Sequence, residues 1–296
     1  MPEDLDFSPL SDPVDPAAVL AHAERNGDRP GRDVACCALW LVFLALVFFG
    51  LISVPLSMYL TDAYPDGGFG IRILGLSPLL VGLVLVVPVV RLMRKDGAQG
   101  RISRYRIMQF AARNGLGYHW TVENPEQAAG IFTVGTRRAA GDVVAFDQPR
   151  PMEFGWYQHV TGNREMAAER WYYATTPLDA KLPHLLLNSR AKRTGVLTGG
   201  TDDALGRPDL AGPGTTVFSV SGPFGRARQI QTVLDRTLFS PDLLDRYTAR
   251  PVHIEIVQNR LYLFARKPFV TTDPDDWRWI VRLLVDTAER LETPPA

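Results

Sequence analysis

The residues able to do chemistry in this 296-residue chain are few and scattered. His253 and Glu255 stand two apart in PVHIEIV, where a strand would place both on one face. A His near a carboxylate can take and return a proton close to neutral pH. Arg250, Arg260 and Arg266 are equally able to pair with Glu255, and a hydrogen-bonded strand pair is the commoner outcome. His159 lies amid Trp156, Tyr157, Trp171, Tyr172 and Tyr173, a cluster that could stack on a ligand ring but more often packs across strands. His253, Glu255 and His159 are therefore the ligand-site candidates. His184, after a proline, reads as a structural donor near a sheet edge. Arg137-Arg138 follow GIFTVG in a turn that suits either a phosphate or plain solvent.

Recognised catalytic spacings are missing. GGTDDALG (199 to 206) lacks the Lys and Ser/Thr of a phosphate-binding P-loop, and no GxGxxG follows a strand. FSVSG (218 to 222) has Phe where the first Gly of a nucleophile elbow should be. Cys36 and Cys37 are adjacent and cannot make a disulfide framework or a zinc site. At the edge of an apolar run they read as small apolar filler, with lipidation the alternative. The sequence thus assigns no catalytic residue, metal or cofactor, and the expectation is a protein that is not an enzyme.

The elements that must position these residues begin with a membrane anchor. Lys and Arg total 32 and Asp and Glu total 32, a balance that argues against nucleic acid as a partner. The balance is uneven along the chain. Residues 1 to 34 carry eight acids against three bases, and residues 91 to 113 carry seven bases against the single acid Asp96. Between them, residues 35 to 60 hold no charge, enough to cross the hydrocarbon core as a helix. A second run of 18 uncharged residues, 73 to 90, would cover roughly 27 Å. The expected organisation is an acidic, disordered tail (1 to 34), a two-helix hairpin (35 to 93, with spans 35 to 60 and 73 to 91), a basic juxtamembrane helix (94 to 115) and a cytosolic domain (116 to 296). Bases flank the outer ends of both spans while the loop between them offers only Arg72, so both termini are expected in the cytoplasm. Arg91, Arg94, Lys95, Arg101, Arg104 and Arg106 are the expected contacts to anionic headgroups, a role that topology determinants can share. Gly50, Ser53, Ser57, Gly75 and Gly82 offer small residues for close packing of the two spans. Arg outnumbers Lys 28 to 4, as in a GC-rich bacterial coding sequence, so the membrane is the bacterial inner membrane.

Beyond 116 the pattern turns to period two. LGYHWT, GIFTVG, DVVAF, EFGWYQHV and RWYYATT predict five strands of an antiparallel meander, LPHLLLNS a short apolar element, 195 to 214 a loop, and TTVFSV a further strand. Ser240-Pro241-Asp242 predicts a helix start running through Tyr247, and PVHIEIV with RLYLFAR predicts a hairpin across Gln258-Asn259. Asp273-Pro274 opens a last helix in which Trp277, Ile280, Leu284, Ala288 and Leu291 recur at three- and four-residue steps. The expected fold class is α+β, a mostly antiparallel sheet with helices packed on one face, following a transmembrane hairpin.

GIFTVGTRR (130 to 138), LPHLLL (182 to 187), SPDLLD (240 to 245) and IEIVQNRLYLF (254 to 264) give the chain a family likeness. It resembles an uncharacterised group of bacterial membrane proteins in which two N-terminal spans precede a cytosolic α+β domain. The likeness runs over nearly the whole chain from residue 35, and implies the topology but no catalytic residues. The leading expectation is a membrane-anchored cytosolic domain that binds a protein partner or itself. A membrane-anchored small-ligand sensor comes second, and an enzyme with a loop-built site third.

Overall fold

The structure is a computed structural model that describes residues 5–27, 32–64, 68–160, 168–191 and 205–292. It divides into two compact units, one of Met1–Asp12 with Arg106–Ala296 and one of Pro13–Tyr105.

The Pro13–Tyr105 unit holds α2 (Pro16–Arg25), α3 (Arg32–Ala63) and most of α4 (Gly68–Arg113), while α1 (Ser8–Ser11) belongs to the other unit. Asp15 caps α2 by accepting the Ala17 N–H, with Pro16 at the first helical position. Both apolar runs are helical. Within α3, Trp40–Ala63 is long and apolar enough to cross a membrane, and only 11% of its most apolar window is covered. The prolines do not break these helices. Pro78 cannot donate to the Leu74 carbonyl one turn back, and the Ser77 hydroxyl donates to it instead at 2.7 Å. The two long helices meet where Gly82 leaves room. A Cβ there would fall 2.2 Å from the Phe49 ring, and Ser53, one turn on, is 1% exposed. Gly50 has open space beside it and takes no part. The side chains of Cys36, Cys37, Arg72, Gly75 and Arg94 lie outside the described residues.

The other unit is an eight-stranded, wholly antiparallel sheet in the order β1-β2-β3-β4-β8-β7-β5-β6. Its strands are β1 (Gly117–Glu123), β2 (Thr136–Phe146), β3 (Met152–Val160), β4 (Ala168–Pro177), β5 (Leu185–Ser189), β6 (Phe218–Ser221), β7 (His253–Val257) and β8 (Arg260–Ala265). The β7–β8 hairpin turns on Gln258 and Asn259, both at positive φ, the pair of left-handed residues whose twist suits a two-residue hairpin. One face of the sheet carries the large core. The end of α4 gives it Ile107, Phe110 and Ala111, α6 (Ala227–Arg236) gives Ile230 and Leu234, α7 (Pro241–Ala249) gives Leu243 and Tyr247, and α8 (Pro274–Glu292) gives Trp277, Ile280, Leu284, Ala288 and Leu291. Asp273 caps α8 through the Asp275 N–H at 2.9 Å, as its sequence predicts.

Four local expectations are corrected. The N-terminal stretch is not disordered over 5–27. Leu10 is buried in the large core, Phe7 stacks on Phe110, and Arg113 donates to Asp6 at 2.9 Å, so residues 6 to 10 belong to the sheet unit. GIFT is a 3₁₀ turn (Gly130–Thr133) rather than a strand, and β2 instead starts at Thr136 and absorbs DVVAF. The TTVFSV strand is shorter, because α5 (Gly214–Val217) takes its first residues as one helical turn before β6. Ser240 has the extended backbone of a cap, but its hydroxyl bonds nothing, and Pro241 with Asp242 in the first turn marks the helix start.

Candidate functional site

His253 and Glu255 do share a face of β7, the one turned away from the α-helices, while Ile254 and Ile256 between and beside them enter the large core. This second face has its own smaller core of Ile131, Phe132, Tyr157, Trp171, Tyr173, Leu186, Tyr262 and Phe264. Phe132 hangs from the 3₁₀ turn into the middle of it, its ring 4.4 Å from Tyr157, 5.2 Å from Tyr173 and 6.3 Å from Tyr262. The segment from 127 to 138 is thus a strap across the sheet.

Glu255 holds that strap down. Its carboxylate is 2% exposed and accepts the Gly130 N–H at 3.1 and 3.2 Å, while Oε1 lies 3.0 Å from His184 Nε2. A buried carboxylate must find donors, and a backbone N–H at the opening of a helical turn with an imidazole beside it meets that need. The arginines considered as its partners go elsewhere. Arg250 pairs with Asp276 at 2.8 Å, Arg266 pairs with Glu169 at 2.7 Å and lies over the Trp171 ring, and Arg260 lies 6.0 Å from the Tyr262 ring centre. His184, 71 residues away, is the partner that sequence spacing could not show.

Two more anchors of the strap are polar. Tyr173 donates to Glu153 at 2.6 Å and Gln127 donates to the same oxygen at 2.9 Å. Tyr262 donates to the Gln127 side-chain oxygen Oε1 at 3.0 Å and accepts the Ala128 N–H at 3.1 Å. Burial, and then the neighbouring Glu153 carboxylate, push the Tyr173 hydroxyl well above its ordinary range, so it stays a donor. Arg138 closes the far end by donating to the Phe132 carbonyl at 2.6 Å, which answers where one of the two turn arginines goes.

His253 has no exposed surface and makes its own contacts rather than meeting Glu255. Its Nδ1 lies 2.9 Å from Asn188 Oδ1 and 3.3 Å from the Ser189 nitrogen. It serves one of these in each tautomer, donating to Asn188 or accepting from Ser189. Its ring meets Trp171 edge to face at 5.3 Å. His159 is 4% exposed and stacked on Tyr157, with Nδ1 unpartnered. Burial lowers its pKa below the usual histidine value, with Glu169 opposing and Arg266 reinforcing the shift. Of the five aromatics near it in sequence, Tyr157, Trp171 and Tyr173 share its face, whereas Trp156 turns to Asp142 and Tyr172 packs on the large core. Gly135 fits because its φ is +75° and a Cβ would fall 2.7 Å from the His159 ring. The three candidates therefore serve one face of the sheet without converging on a shared reactive centre.

The basic stretch is also divided. Arg91 and Lys95 are exposed, and Arg101 and Arg104 are half-buried. Arg106 donates to the carbonyls of Asp12 and Ser11 at 3.0 and 3.4 Å, at the end of α1. Among the described residues no group of three or more His, Cys, Asp or Glu is placed to hold a metal.

Fold and site together define an α+β domain on an antiparallel sheet, in a chain that also carries a helix fit to cross a membrane. No family model and no curated protein matches the chain. Among solved structures it is similar to the mycobacterial trehalose monomycolate transport factor A, TtfA, at 14% identity and a TM-score of 0.42, over 65% of this chain and 97% of that one.

Proposed function

We propose that the protein is a bacterial inner-membrane protein anchored by a two-span hairpin, with both termini in the cytoplasm. Its α+β domain works without catalysis, by binding another protein or a second copy of itself at the membrane surface. The observation that carries this reading is the bare apolar surface of Trp40–Ala63, 11% covered in its most apolar window. Such a surface is stable only in lipid or against a partner. The second run supports the hairpin, since it is helical throughout and takes the Phe49 ring against Gly82. The exposed Arg91 and Lys95 just beyond it suit a cytoplasmic end. An interaction role is favoured over a reaction because Glu255, Glu153 and Tyr262 point their polar atoms at the protein's own strap.

Crosslinking in intact membranes tests this. A discrete crosslinked species, either a dimer or one defined partner, that survives washing at high salt is the expected result. An exclusively monomeric chain, with no crosslinked species at any concentration of reagent, would contradict it.

A further inference from the structure

We propose that the turn before α6 docks the sheet unit onto an anionic lipid surface, with Phe224 entering the headgroup layer and Arg207, Arg226 and Arg228 around it meeting the lipid phosphates. The proposal rests on the membrane-anchored reading, which holds the chain at a bilayer. Phe224 is 73% exposed, and among the described residues of its unit it is the one large apolar side chain left mainly in water.

The ring is held out by the backbone around it. Pro223 precedes it, Gly225 follows at a φ of +73°, and Gly206 and Gly222 bond each other at 2.8 and 2.9 Å as an isolated antiparallel bridge. A Cβ on Gly206 would fall 2.6 Å from the Phe224 ring, so glycine lets the ring lie against that backbone. The same bridge brings Arg207 close to the turn that carries Arg226 and Arg228. All three arginines are exposed, and among the described residues none has a side-chain hydrogen bond or ion pair. Residues 205–212 and 221–230 carry these three arginines against one acid, Asp209. Helix stability does not account for the charges. Arg226 is the N-cap residue and Arg228 lies in the first turn of α6, where no acid stands. Bases there oppose the positive end of the helix dipole. An anionic lipid surface reverses that cost, because each base near it gains attraction while the apolar ring leaves water. A lipid surface suits the patch better than a protein groove, since one projecting ring is too little for the apolar centre of a stable protein interface.

The test uses the full chain in nanodiscs of phosphatidylcholine with brominated acyl chains, with and without phosphatidylglycerol. Phe224→Trp keeps a large apolar ring and serves as the reporter, read as the emission it adds over wild type. That added emission should be quenched when phosphatidylglycerol is present. It should recover without phosphatidylglycerol, or in about 1 M salt, which screens charges beyond about 3 Å. Adding Arg226→Gln and Arg228→Gln should lower the ratio of docked to undocked chain roughly fivefold for each charge removed. Arg290→Gln, whose side chain pairs with Asp242, should leave the ratio unchanged. Unquenched added emission in phosphatidylglycerol, equal quenching in pure phosphatidylcholine, or an equal loss with Arg290→Gln overturns the proposal. The anchor is read separately in the same samples. Wild-type emission should be quenched in both lipids by way of Trp40, 61% exposed at the start of the Trp40–Ala63 helix, and unquenched wild-type emission overturns the anchor instead.

Discussion

Replacing Glu255 by Ala removes one buried carboxylate that joins three parts of the sheet unit, and its cost can be worked from the contacts. The Gly130 N–H, bonded at 3.1 and 3.2 Å, would be left buried without an acceptor, which costs about 1–3 kcal/mol. The space vacated by the side chain adds about 1–2 kcal/mol. His184, with 22% of its side chain exposed, can turn to water at little further cost. The sum, about 2–5 kcal/mol, should lower the unfolding temperature by roughly 5–15 °C for a unit of this size. Glu255→Gln keeps an acceptor for Gly130 and should lose about half as much, and His184→Ala less than about 1 kcal/mol. Thermal unfolding of the full chain in detergent measures these differences. Hydrogen exchange at the Gly130 amide should accelerate in Glu255→Ala ahead of the amides of β7 and β8. An Ala variant within about 0.5 kcal/mol of wild type would refute the reasoning. A His184→Ala variant as damaging as Glu255→Ala would too, because it would make the imidazole the principal partner instead of the strap.

Two further predictions concern other parts of the chain. Gly82→Leu must displace the Phe49 ring and should cost about 1–3 kcal/mol of stability, whereas Gly50→Leu meets open space and should cost little; thermal stability of the two variants in detergent compares them directly. The second concerns acid. Burial holds the His159 pKa below its unfolded value near 6.5, so the unfolded chain takes up the proton first and stability falls as pH drops below about 6.5. His22, flanked by Arg25 and Arg104 and lowered chiefly by burial, acts in the same sense. His159→Phe should flatten the fall in unfolding temperature between neutral pH and mildly acidic pH, and an unchanged slope would contradict the assignment.

The elements that were legible in the sequence are those whose signal is local. The Asp273 cap, the three- and four-residue steps of α8 and the Gln258-Asn259 turn each need only neighbours within about a turn, and the structure has them where the residues indicate. The elements that were not legible depend on distant contacts. Phe7 and Leu10 sit in an acid-rich stretch that reads as disordered, yet each finds a place in a core formed mostly by residues beyond 106. GIFT has strand-forming residues and turns as a 3₁₀ helix because its Gly130 N–H meets Glu255 and its Phe132 meets four aromatic rings. The helix at 227 to 236 has charged and polar residues on one side and only Ile230 and Leu234 fully buried, a signal too sparse to register. At the candidate site the sequence located His253, Glu255 and His159 but not their partners. Asn188, His184 and Gly130 lie 65 to 125 residues from the groups they serve.

The proposed two-span hairpin with both termini in the cytoplasm is tested most directly by a dual reporter active as a phosphatase outside the cytoplasm and as a β-galactosidase inside it. Fused after Ala296, and separately before Met1, it should read cytoplasmic at both ends; fused in the loop near Tyr64 it should read periplasmic. A periplasmic reading at the C-terminus, or release of the chain from membranes by alkaline carbonate, would contradict the two-span anchor.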